Sequence, residues 1–142
     1  MTNLIATARI DIEATPEQVW RALTDPALIK QYFMGADVEA DWKPGSPITW
    51  KGEYQGKSYE DKGELIEVIP EERLQHTHFS PMSGQPDEPE NYHTLTYTLQ
   101  KHGAHTKVVL TQDNNGSEEE AERSSSTWAA MLDGLKKTVE DR

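Results

Sequence analysis

The chain has 142 residues, no cysteine and a formal net charge of −11. That length suits one domain, residues 1–142, able to bury a real core, and the missing thiols exclude disulfides, thiolate metal sites and cysteine nucleophiles. So acidic a chain does not neutralise phosphate, which argues against nucleic acid and anionic membrane surfaces as partners. Its apolar runs are too short for a membrane span.

The first residues lack the basic region and long apolar stretch of a secretory leader, so a cytoplasmic protein is expected. Residues 5–13 alternate as a strand, with Ala6, Ala8, Ile10 and Ile12 on one face. Thr15-Pro16-Glu17-Gln18 is a helix start: Thr15 is the N-cap, Pro16 takes the first helical position and Gln18 completes a capping box. Val19, Trp20 and Leu23 give that helix its apolar stripe. Asp25-Pro26 ends it and caps a second short helix carrying Leu28, Ile29, Tyr32 and Phe33.

From Gly35 onward the pattern is one of strands. Residues 38–42 form a short strand, Lys43-Pro44-Gly45 turns, and Ile48, Trp50 and Tyr54 alternate with Thr49, Lys51 and Glu53. Gln55-Gly56-Lys57 is a hairpin turn into a long strand, 58–69, in which Gly63 predicts a bulge or bend. Pro70-Glu71-Glu72 turns into strand 73–79. Residues 80–91 carry Pro81, Gly84, Pro86 and Pro89 and read as one long loop, a lid or simply mobile. Strands 92–100 and 106–112 pair across His102-Gly103-Ala104. Ser117 then caps a final helix, with Glu120 as its reciprocal partner and acidic residues suiting the first turn. Along that helix Trp128, Met131, Leu132, Leu135 and Val139 share one face. A long helix with one apolar stripe needs a surface to cover, and a curved antiparallel sheet would enclose space beneath it.

Several stretches carry a resemblance to a known family. They are Ile10-Asp11-Ile12-Glu13-Ala14-Thr15-Pro16-Glu17-Gln18-Val19-Trp20, Ala22-Leu23-Thr24-Asp25-Pro26, Gly63-Glu64-Leu65-Ile66-Glu67-Val68-Ile69-Pro70 with Arg73-Leu74, Thr106-Lys107-Val108-Val109-Leu110-Thr111, and Trp128 with Leu132 and Leu135. In this order they resemble the START-like or SRPBCC superfamily. Within it, they resemble the homologues of the C-terminal domain of the HSP-90 ATPase activator. The resemblance implies an α+β helix-grip fold: a curved antiparallel sheet of about seven strands wrapped around a long C-terminal helix, with two short helices after the first strand. It also implies a cavity for apolar or amphipathic small molecules, and a chaperone as an alternative partner. It does not imply one activity, since the superfamily spans lipid carriers, receptors, cyclases and chaperone regulators. The chain departs from the pattern at His76 and His78, where the branch often has aromatic or aliphatic residues.

Strand parity puts Leu74, His76 and His78 on one face, and His93, Leu95, Tyr97 and Leu99 on the adjoining one. Trp50, Tyr54, His76, His78, His93 and Tyr97 from the sheet, with Trp128 and Met131 from the helix, are therefore the candidate ligand-binding residues. The histidines read in three ways: half-buried polar groups bonded to neighbours, groups orienting a ligand's polar end, or a three-histidine zinc site. Trp42, in a charged strand, is a candidate for the pocket mouth, and Met34, Met82 and Met131 could adapt to varied ligands. Either Glu64 or Glu67 would face inward if pairing is regular, as a general acid or base. No serine-hydrolase elbow, phosphate loop or dinucleotide fingerprint is present, and no cofactor is called for. Binding of a small ligand is the first expectation, a chaperone-interacting regulator the second, and an enzyme using the histidines or Glu67 the third.

Overall fold

Alternating small and branched side chains make β1 (Leu4–Ile12), which buries Ala6, Ala8 and Ile12 and packs Ile10 against the core. The computed structural model describes residues 4–33, 35–54, 56–81 and 84–140, and of Tyr54 the backbone alone. Expectations placed on the Tyr54 side chain, Gln55, Met34 and Met82 lie outside the described residues.

Thr15 caps α1 (Pro16–Thr24) in a reciprocal box: Gln18 N–H donates to Thr15 Oγ1 at 3.2 Å, and Thr15 N–H to Gln18 Oε1 at 3.0 Å. Asp25 closes α1 and caps α2 (Pro26–Tyr32) through the Ala27 N–H. Six further strands follow: β2 (Asp37–Ala40), β3 (Pro47–Tyr54), β4 (Lys57–Ile69), β5 (Arg73–His78), β6 (His93–His102) and β7 (His105–Asn115). They join β1 in one curved antiparallel sheet of order β1-β7-β6-β5-β4-β3-β2. Five of the six pairings join strands consecutive in the chain, and β1–β7 closes the series. The last helix, α3 (Glu118–Glu140), buries Met131, Leu132, Leu135 and Val139, each worth about 1.5–3 kcal/mol of apolar burial. Ser117 Oγ accepts from Glu120 N–H, but the Glu120 carboxylate reaches back to Gly116 N–H, one residue before the expected box partner.

Two details of β4 differ from the sequence reading. The register shift falls between Leu65 and Glu67, not at Gly63. Gly63 is instead a point of close approach, where a Cβ would stand 1.8 Å from the Thr77 carbonyl oxygen. The shift changes which parity faces inward. Leu65 is buried and Val68 packs on the core, whereas Glu64 is exposed and Glu67 pairs with Arg73 at the surface. Neither glutamate faces the interior, because the bulge removes the regular pairing on which that expectation rested.

Residues 87–92, the described end of the proline-containing segment, lie on the outer face of the sheet. A short 3-10 turn, Pro89–Asn91, precedes Tyr92, whose ring stacks on Phe79 with centroids 5.1 Å apart. Asp87 accepts from Tyr92 and pairs with Lys62, so the segment borders an outer groove of about 670 Å³ and does not cover the sheet's inner hollow.

Candidate functional site: an aromatic and histidine cluster under the short helices

The helix α3 lies over β1 and β7, where Ala6 and Ala8 offer only methyl groups and permit close approach. The other half of the sheet carries larger side chains, ends in β2 and is roofed by α1 and α2. Between them is a void of about 20 Å³, lined by Leu23, Ile29, Tyr32 and Phe33 from the short helices and their end, Val38 and Trp42 from β2 and its exit, and Ile48, Trp50, Leu74, His76 and Tyr97 from the sheet. That volume suits one water. Trp50, His76 and Tyr97 therefore line the interior space. Trp128 and Met131 do not, because α3 is displaced toward β1.

His76 is buried, with its ring 5.1 Å from Trp50 and 6.1 Å from Tyr97, centroid to centroid. Its Nδ1 lies 2.9 Å from the Thr77 carbonyl oxygen. Burial pulls its pKa down to about 4, outweighing the opposing carbonyl bond, and the nearby His78 lowers it further; the ring is neutral at pH 7. Burial also pushes the Tyr97 and Tyr32 phenols up, so both keep their protons. Tyr32 spends its proton on the Ala22 carbonyl oxygen at 2.8 Å.

Trp42 has φ 56°, a left-handed backbone conformation that a bulky side chain adopts only under constraint. The constraint is visible: the following turn is tied to β4 by Gly45 N–H to Leu65 O at 2.7 Å and Leu65 N–H to Ser46 O at 2.9 Å. The strained residue is one that lines the void.

A second polar group lies beyond Trp50. His78 Nε2 is 2.9 Å from Asp61 Oδ2, with both side chains about 15% exposed (15% and 14%). Trp50 faces Asp61 directly across the β3–β4 pairing, and its ring is 5.1 Å from His78. Asp61 Oδ1 is buried without a hydrogen-bond partner among the described residues. Asp61 is thus the acid that faces inward, and the sequence reading missed it. The signal was present, since Asp61 shares the parity of Gly63 and Leu65. His93 pairs with His78 across β5–β6, as strand parity implied, but its Nδ1 is taken up by the Asp113 carbonyl oxygen at 2.9 Å. Among the described residues no three His, Asp or Glu side chains converge as a metal site. Trp128 packs on Phe33, centroids 6.2 Å apart, and donates from Nε1 to Gln112 Oε1 at 2.6 Å.

A strand, two capped short helices, six more strands and a long helix are the arrangement on which sequence comparison bears. The profile of the family described as "Activator of Hsp90 ATPase homolog 1-like protein" matches residues 13–140. The chain belongs to that family. No curated protein matches the sequence. Among solved structures of the same fold, ChR145 from Cytophaga hutchinsonii is 49% identical, with a TM-score of 0.86 over 97% of this chain and 94% of that one. The Aha1 dimer from Colwellia psychrerythraea is 24% identical, with a TM-score of 0.74 over 99% and 97%. CalU16 from Micromonospora echinospora is 20% identical, with a TM-score of 0.71 over 98% and 87%. The last two likenesses concern the fold alone. No helix of this activator-like chain is long and apolar enough to cross a membrane, among the described residues.

Proposed function

We propose that this protein binds a small, largely apolar ligand in the hollow between the sheet and the α1–α2 roof. One observation carries the reading: two buried polar side chains, His76 and Tyr97, line one void whose other walls are almost wholly apolar or aromatic. Apolar walls with a few convergent polar groups are the usual composition of a small-molecule site. The walls supply affinity at roughly 25 cal/mol per Å² of apolar surface removed from water, and the polar pair supplies orientation. A void of about 20 Å³ admits such a ligand only when the roof moves outward. The roof is two short helices, of nine and seven residues.

Native mass spectrometry of freshly purified protein, with amide and aromatic NMR shifts on adding candidate ligands, tests the reading. A bound small molecule, or shifts centred on Trp50, His76 and Tyr97, is the expected result. Shifts confined to the outer groove or to α3, with no retained molecule, would overturn it.

The tightness of the interior favours a second reading, in which the surface is what functions and the partner is a chaperone, as the family description suggests. The acidic surface would then meet a basic face. Co-purification with Hsp90 and a changed ATPase rate would support this reading; absence of both would remove it.

A further inference from the structure

The protonation of His76 limits what the interior can accept. Its Nδ1 lies 2.9 Å from a carbonyl oxygen, that of Thr77. A carbonyl only accepts, so Nδ1 carries the ring proton. A neutral imidazole has one N–H, which leaves Nε2 as a bare lone pair. Nε2 and the Tyr97 hydroxyl make no hydrogen bond among the described residues, and neither is among the buried atoms left unpaired there, so both can meet solvent. The neighbouring Tyr32 hydroxyl is already committed to Ala22. The void therefore has one site that can only accept and one that can donate or accept, set among apolar walls.

Three kinds of guest meet this pair differently. A hydrocarbon leaves both groups unpaired, which costs each of them its hydrogen bonding. A carboxylate turns lone pairs toward the Nε2 lone pair and loses its own hydration in a space with no described cation lining it. A neutral hydroxyl donates to Nε2 and accepts from Tyr97, so all three polar groups are satisfied at once. Water has the same donor and acceptor capacity, and the void has room for one.

We infer that the interior selects ligands by a neutral hydroxyl, phenolic or alcoholic, seated between His76 Nε2 and the Tyr97 hydroxyl. The inference rests on the ligand-binding reading above and names its chemistry.

The test uses the whole chain at pH 7 with three probes of one shape: p-cresol, toluene and p-toluate. Imidazole 15N spectra are expected to show His76 as the Nδ1–H tautomer, with its Nε2 resonance moving upfield when p-cresol binds. p-Cresol is expected to bind more tightly than either other probe. Tyr97→Phe should reduce the preference for p-cresol over toluene about fivefold, the effect of losing one neutral hydrogen bond. An Nε2–H tautomer overturns the inference without any ligand. Equal binding of the three probes, tighter binding of p-toluate, or an unchanged preference in Tyr97→Phe overturns it while leaving the ligand-binding reading standing. Failure of all three probes to shift Trp50, His76 or Tyr97 overturns both.

Discussion

His76 links burial to acid stability. The unfolded imidazole titrates near 6.5 and the folded one at about 4, so the unfolded chain takes up the proton first as pH falls. The contribution is fully present above pH 6.5 and is lost as pH drops toward 4. The loss amounts to about 3 kcal/mol by linkage. Urea midpoints measured from pH 7.5 to 4 are expected to show that decline, and His76→Phe to flatten it. Residue parity placed His76, His78 and Tyr97 on one face from sequence. Parity could not say that His76 would be sealed in beside Trp50 while His78 would find Asp61, because that depends on which strand bends where. Trp42 was likewise visible only as an oddity, since a positive φ is imposed by the turn after it and leaves no compositional mark.

At the scale of elements, β4 and α3 hold the site in position. Gly63 lets β5 pass close enough to carry His76 and His78 over Trp50. With a Cβ placed 1.8 Å from backbone, Gly63→Ala has no cheap relief. Chemical denaturation of that variant is expected to show a loss of about 3 kcal/mol or more. On α3, Trp128 ties the helix to β7 through Gln112, which is itself buried. Trp128→Phe keeps the ring packing and strands the Gln112 oxygen, so a loss of about 1–3 kcal/mol is expected in the same assay. The strand and helix sequence was legible because capping residues and period-two alternation are local signals: the Thr15 box, the Asp25 cap and the faces of β1, β5 and β6 all follow from them. The bulge after Leu65 is set by pairing with β5. No single stretch of sequence announces it, and the two glutamates were misplaced for that reason.

For the molecule as a whole, the consecutive antiparallel order was readable because each turn forces its neighbours together, and the family resemblance added a seventh strand without saying which neighbour β1 would take. The seat of α3 was not readable. Only packed volumes decide whether a helix lies over the middle of a sheet or over one flank, and here Ala6 and Ala8 draw it to the β1 flank while Gly134 lets Tyr32 approach its back to a would-be Cβ distance of 3.2 Å. The interior space thus falls beneath α2. Leu135 is fully buried where α3 meets the core, and Leu135→Ala is expected to lower the melting temperature with a loss of about 2–5 kcal/mol at the transition.

The flank position of α3 has another effect. β1 is a nine-residue border strand, long enough to recruit a second chain, and the helix takes up part of its outward margin: Ser125 Oγ accepts from Thr7 N–H and Lys136 donates to the Asp11 carbonyl, while Glu140 accepts from Glu13 N–H just past the strand's end. The opposite border, β2, has four residues and offers little to copy. A version of the chain cut after Gly134 should therefore do more than soften. With the Asp11 end of its margin uncovered, it should polymerise strand onto strand, and thioflavin fluorescence rising with protein concentration would report it.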